Sequence, residues 1–154
     1  MSLVKLNNNA VKNVTSFGSI GSGSLTFITK VTASSSSTVS LVNGSNSVVL
    51  DNTYKEYLFI FNNIHASNDD VHFLFNGSDD TSSHSYDVTK TTSAFMAYHN
   101  EGGSDANLAY SASGDVAQGT GFQNLTTGDT LADNNDRSLG GYLRLFDPSS
   151  TTFV

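Results

Sequence analysis

A chain of 154 residues with 37% hydrophobic and 14% charged side chains has the size of one domain, and Ser, Thr, Asn and Gly make it polar without the charge density typical of disordered tails. Its formal net charge is −7, and its seven Lys and Arg (Lys5, Lys12, Lys30, Lys55, Lys90, Arg137 and Arg144) stand singly, which argues against nucleic acid or an anionic membrane as a direct partner. The absence of cysteine excludes disulfides, thiolate metal sites and cysteine nucleophiles.

Residues 1–22 read as an N-terminal arm and linker. Leu3, Leu6, Val11, Val14 and Phe17 are single apolar residues spaced among Asn and Ser, and the tract Gly18 to Ser24 has linker composition. A docking arm has this look, and so does a frayed terminus. No apolar run here is long enough for a signal peptide, and none in the chain approaches the roughly 20 residues of a membrane span. The expectation is a protein made in a cytoplasm.

Residues 23–154 read as a β-sandwich domain. Leu25 to Thr32 is rich in β-branched residues and predicts a strand, interrupted by the serines 34–37 and resumed at Thr38 to Val42. Asn43-Gly44-Ser45-Asn46 predicts a turn, because Asn-Gly supplies positive φ, and Val48 to Leu50 follows as a short strand. Tyr54 to Asn63 carries the strongest strand pattern. Tyr57, Phe59 and Phe61 fall on one face and Leu58 and Ile60 on the other, so the strand is buried centrally or lies between a core and a partner.

Asp70 to Phe75 alternates, with Val71, Phe73 and Phe75 inward, and Asn76 to Asp80 predicts a turn. Ser93 to His99 is the next expected strand. The region Asn100 to Arg137 is rich in Gly and Asn and reads as a long loop of functional or assembly type. Leu139 to Phe146 predicts a strand, Pro148 a turn after it, and Thr151 to Val154 the opening of another strand. Many short strands without a helical period predict an all-β antiparallel β-sandwich or jelly roll with an extended N-terminal arm. An edge strand missing at the C-terminus would let another chain complete the sheet.

Chemistry is sparse. His65, His72, His84 and His99 have Asp69, Asp70, Asp79 and Asp80 as natural co-ligands, but no spacing matches a zinc signature and solvated loop residues account for them better. The same aspartates with Asn68 or Asp87 do not form a calcium loop pattern. No nucleophile elbow, phosphate loop or carboxylate pair stands out, so no catalytic, metal or cofactor site is expected. Tyr86, Tyr98 and Tyr110 flank polar loops and suit either sugar stacking or half-burial at strand ends. A carbohydrate- or host-receptor-binding module is therefore the alternative to an assembly protein, with a host surface glycan as its partner.

Four segments together carry a resemblance. Met1 to Thr15 resembles the start of tail-fibre-like and appendage proteins of marine bacteriophages, including cyanophages. The stretch from Phe27 to Ser40, followed by Tyr54 to His65, is similar to a recurrent element and a tyrosine-rich strand of those proteins, and Gly141 to Ser150 resembles a later strand. The resemblance implies a structural protein of a virion, made in the host bacterial cytoplasm and assembled with other virion structural proteins of capsid, tail or fibre, as a homo-oligomer and without catalytic residues. In that family the domain usually continues through further strands after the proline turn, so the expectation here is a β-sandwich of residues 23–154 left incomplete at its C-terminal edge.

Overall fold

The computed structural model describes residues 25–152. The expected arm residues Leu3, Leu6, Val11, Val14 and Phe17, and the linker after them, lie outside the described residues. The chain divides into two units, Met1–Lys55 with Asp147–Val154, and Glu56–Phe146.

In the first unit, the described residues form no strand. The strands expected at 25–32, 38–42 and 48–50 are thus corrected. Leu25, Phe27, Val31 and Val39 are exposed, and β propensity expresses itself only where a ladder and a packed face exist to use it. The turn expected from Asn-Gly is observed. Gly44 has φ +79°, Ser45 N–H donates to the Val42 carbonyl at 3.0 Å, and Gly44 N–H donates to the Val48 carbonyl at 2.9 Å. Asn43 Oδ1 accepts from Leu50 N–H at 2.9 Å, and Val48 is buried. Asp147 N–H donates to the Lys55 carbonyl at 2.9 Å, and the Lys55 ammonium meets the Asp147 carboxylate at 2.9 Å. Pro148 occupies the second position of a turn closed by Ser150 N–H on the Asp147 carbonyl, a position that its fixed φ suits. Thr151 and Thr152 are bends, and the rest of the expected final strand lies outside the described residues.

The second unit is all-β, built from three small antiparallel sheets of two strands each. Strand β1 (Glu56–Ile64) pairs with β6 (Leu139–Phe146), β2 (Leu74–Phe75) with β5 (Gln123–Asn124), and β3 (Phe95–His99) with β4 (Ala106–Tyr110). No helix occurs among the described residues. The register of β1 on β6 places Tyr57 opposite Leu145, Phe59 opposite Leu143, and Phe61 opposite Gly141. Cross-strand partners share a face, so these residues form the inner side of that sheet. Tyr57 is 3% exposed, and Phe61 meets Phe73 edge-to-face at 4.9 Å. The expected inward set Val71, Phe73 and Phe75 is half-buried, while His72 and Leu74 are exposed. The ladder around β2 extends through Leu125 N–H on the Phe73 carbonyl and Leu131 N–H on the Val71 carbonyl.

The strongest strand is therefore not central. Among the described residues β1 has one neighbouring strand, β6, and its other edge pairs with none. The expected turn at 76–80 is also absent. Asn76 is instead a half-buried hub. Its Nδ2 donates to the carbonyls of Tyr86 and Thr120, and its Oδ1 accepts from Lys90 Nζ at 2.6 Å and from Gly77 N–H at 3.0 Å. The three bonds to Tyr86, Thr120 and Lys90 outweigh the local turn preference of Asn-Gly.

Candidate assembly surface

The β3–β4 hairpin continues as an irregular ribbon. Ser111 N–H donates to the Ala94 carbonyl at 2.8 Å, Thr92 N–H to that of Val116 at 2.8 Å, and Lys90 and Gly119 exchange both bonds at 2.9 and 3.1 Å. Its two faces differ. Ala94 is buried and Met96 half-buried, and a Cβ added at Gly128 would meet Met96. Gly114 approaches Thr127 so closely that no side chain fits between them. Ser111 Oγ lies 2.9 Å from Thr127 Oγ1, which satisfies a buried hydroxyl. This is the inner side.

Phe95, Ala97 and His99 of β3 lie opposite Tyr110, Leu108 and Ala106 of β4. All six are exposed, Phe95 at 70% and Leu108 at 78%. The Phe95 and Tyr110 rings pack edge-to-face, 5.5 Å apart. The Tyr110 hydroxyl donates to the Asp115 carboxylate, and that bond raises its pKa above the ordinary 10.0 by favouring the neutral phenol. At the other end, the turn carries Glu101 and Asp105, held by Asn100 N–H on the Asp105 carbonyl at 2.8 Å and Asp105 N–H on Asn100 Oδ1 at 3.1 Å.

The β1–β6 sheet has a second outward face. Glu56, Leu58 and Ile60 lie opposite Phe146, Arg144 and Tyr142. Ile60 and Tyr142 are each 72% exposed, and Phe146 is exposed as well. Leu58, Ile60, Phe61, Gly141, Tyr142 and Arg144 line an open depression. Arg144 pairs with Glu56 at 2.9 Å and lies 5.9 Å from the Tyr142 ring centroid, which places its cation over the negative face of the ring.

The residues considered for chemistry are dispersed. His65 Nε2 lies 3.0 Å from Asn63 Oδ1, His72 Nδ1 lies 3.3 Å from Thr126 Oγ1, and His99 Nδ1 lies 3.0 Å from the Asn100 carbonyl. His84 contacts the Tyr86 ring. Asp80 accepts from Ser85 and Ser78. The Ser85 bonds lead in holding its carboxyl below the ordinary value. Among the described residues no three His, Cys, Asp or Glu side chains come together as a metal site, and no helix is long and apolar enough to cross a membrane. Tyr86 is half-buried and Tyr110 exposed. Tyr98 is exposed on the opposite side of the ribbon from Tyr110.

Sequence reasoning missed β4 by treating 100–137 as one loop. The signal was present in Asn107-Leu108-Ala109-Tyr110, whose alternation is short and flanked by Gly and Asp. Comparison with family models, curated proteins and solved structures finds no match.

Proposed function

We propose that this chain is a non-enzymatic structural protein of a bacteriophage particle, of tail, fibre or capsid surface, acting through assembly with other copies or other virion proteins. One observation supports assembly above the rest. Among the described residues four hydrophobic side chains are buried, while thirteen large ones are exposed. A soluble monomer keeps large contiguous apolar patches off its surface, whereas assembly surfaces carry them with aromatic enrichment. Here the exposed residues share faces: Phe95, Leu108 and Tyr110 on one sheet, and Ile60, Tyr142 and Phe146 on another. An isolated two-stranded ribbon is marginal in water, so a sandwich or jelly-roll layering is completed between chains. The placement in a phage virion rests on the resemblance of the Met1–Thr15, Phe27–Ser40, Tyr54–His65 and Gly141–Ser150 segments to appendage proteins.

The glycan-binding alternative is less well supported, because Tyr98 and Tyr110 face opposite sides of the ribbon and offer no common stacking platform. Quantitative mass spectrometry of purified particles from cells producing the chain tests the assembly reading. A fixed number of copies per particle is expected, a few for a tail or fibre component and hundreds for the capsid surface, and particles free of the chain would overturn it.

A further inference from the structure

Charge is unevenly divided along this chain. Residues 1–24 hold two lysines, Lys5 and Lys12, and no carboxylate, which leaves five Lys and Arg against fourteen Asp and Glu in the remainder. The imbalance is sharpest from Thr91 to Asp136, which contains Glu101, Asp105, Asp115, Asp129, Asp133 and Asp136 but no Lys or Arg. The exposed face of the β3–β4 ribbon falls within this segment. Its apolar centre, Phe95, Leu108 and Tyr110, has Asp115 at one end and Glu101 and Asp105 at the other.

Two copies of this face would set carboxylate against carboxylate, which opposes pairing. The same sequence contains the complement. Its first 22 residues bring Leu6, Val11, Val14 and Phe17 together with the two lysines. We propose that residues 1–22 of one copy dock on the exposed β3–β4 face of a neighbouring copy. Leu6 and Val11, which lie between the two lysines, then cover Phe95, Leu108 and Tyr110, and Lys5 and Lys12 meet the carboxylates at its two ends.

The dimensions agree. The seven steps from Lys5 to Lys12 reach at most roughly 24 Å, which exceeds the roughly 17 Å of the five strand steps from Asp105 to Tyr110. The 24 residues before Leu25 reach at most about 80 Å, ample for a neighbouring copy. Each copy offers one arm and one face, so the contact is head-to-tail and propagates into a ring or filament.

The proposal rests on the assembly reading and is tested separately from it, on purified full-length chain. Two variants block opposite halves of the contact: Lys5→Glu with Lys12→Glu removes the arm's charge, and Leu108→Glu places a carboxylate in the apolar face. Sedimentation should show the unmodified chain as an oligomer, each variant at least tenfold weaker in self-association, and an equimolar mixture of the two as a heterodimer joined by the one intact arm and the one intact face. A monomeric parent chain, a variant that associates normally, or a mixture that does not complement would overturn it. Glu101→Lys with Asp105→Lys leaves the apolar residues in place. That variant should lose association with the normal arm, and adding Asp115→Lys, so that both ends of the face are reversed, should restore it with the Lys5→Glu, Lys12→Glu copy; failure of this exchange would count equally against it. If particles lack the chain while purified chain still oligomerises, the virion reading fails and arm docking stands. Particles that contain the chain while the variants associate normally give the reverse.

Discussion

The outer faces of the β1–β6 sheet and the β3–β4 ribbon expose similar apolar residues, yet they handle charge in opposite ways. On β1–β6 the only charged side chains, Glu56 and Arg144, neutralise each other at 2.9 Å, and the guanidinium also lies over Tyr142. On β3–β4 the carboxylates at the two ends have no lysine or arginine in their stretch of sequence. A partner for the first face needs apolar surface alone. A partner for the second must bring cations. In the proposed assembly, apolar exposure marks where a partner would sit, and the residual charge narrows what it is.

The sharpest way to break this comparison is within β1 itself, where inner and outer residues alternate. Tyr57→Ala removes a ring that is 3% exposed and should cost about 3–5 kcal/mol by the usual scale for deleting a buried aromatic. Ile60→Ala removes a side chain that is 72% exposed and should stay within about 0.5 kcal/mol in dilute monomer. Urea denaturation of both variants measures this. Equal losses would mean that the two faces are not inner and outer, and the assignment of an assembly face on β1–β6 would fall with them.

The ribbon's inner side is tested by glycine. Gly114→Ala drives a methyl into Thr127, next to the Ser111–Thr127 hydroxyl contact, and should cost about 1–3 kcal/mol, the range for overfilled sites. Gly121→Ala meets nothing within 4 Å and should be neutral within about 0.5 kcal/mol. Thermal unfolding of the pair checks whether the ribbon has a packed side at all. If Gly114→Ala is silent, both faces are open and the outer one loses its distinction.

How much of this was legible in the sequence depended on the kind of signal. β1 and β6 could be read almost to their ends, because Tyr57, Phe59 and Phe61 alternate without interruption and Leu139 to Phe146 is bounded by Pro148. The alternation of Val71, Phe73 and Phe75 was legible for the same reason. Residues 25–50 have equally good strand composition and form none, since pairing is a property of two segments and neither Phe27 nor Val39 shows from sequence whether a partner exists. Asn76 misled in a different way. Its Asn-Gly pair matches the one that does turn at Asn43, and only tertiary bonds to Lys90, Tyr86 and Thr120 separate them. The candidate face was half legible: Phe95 was assigned to a strand, while Leu108 and Tyr110 were hidden in what read as a loop.

The charge on the ribbon can be followed by titration. The Tyr110 hydroxyl donates to Asp115, and that bond, with smaller contributions from desolvation and the nearby negative charge, raises its pKa above the ordinary 10.0. The neutral phenol is the form that makes the bond. Its contribution to the folded state is therefore complete below the unfolded tyrosine pKa and is lost as pH rises through the higher folded value. Asp115→Asn removes the negative charge while keeping an acceptor. In a 295 nm absorbance titration, one tyrosine should then ionise at lower pH than in the parent chain, and Tyr110→Phe should remove that same step. The parent curve should also move down if a cationic segment is brought to this face, because a lysine competing for Asp115 loosens its hold on the phenol. An identical late step in Asp115→Asn would show that the carboxylate does not govern Tyr110. The face would then lose its anionic end on that side, leaving only Glu101 and Asp105 to attract a lysine.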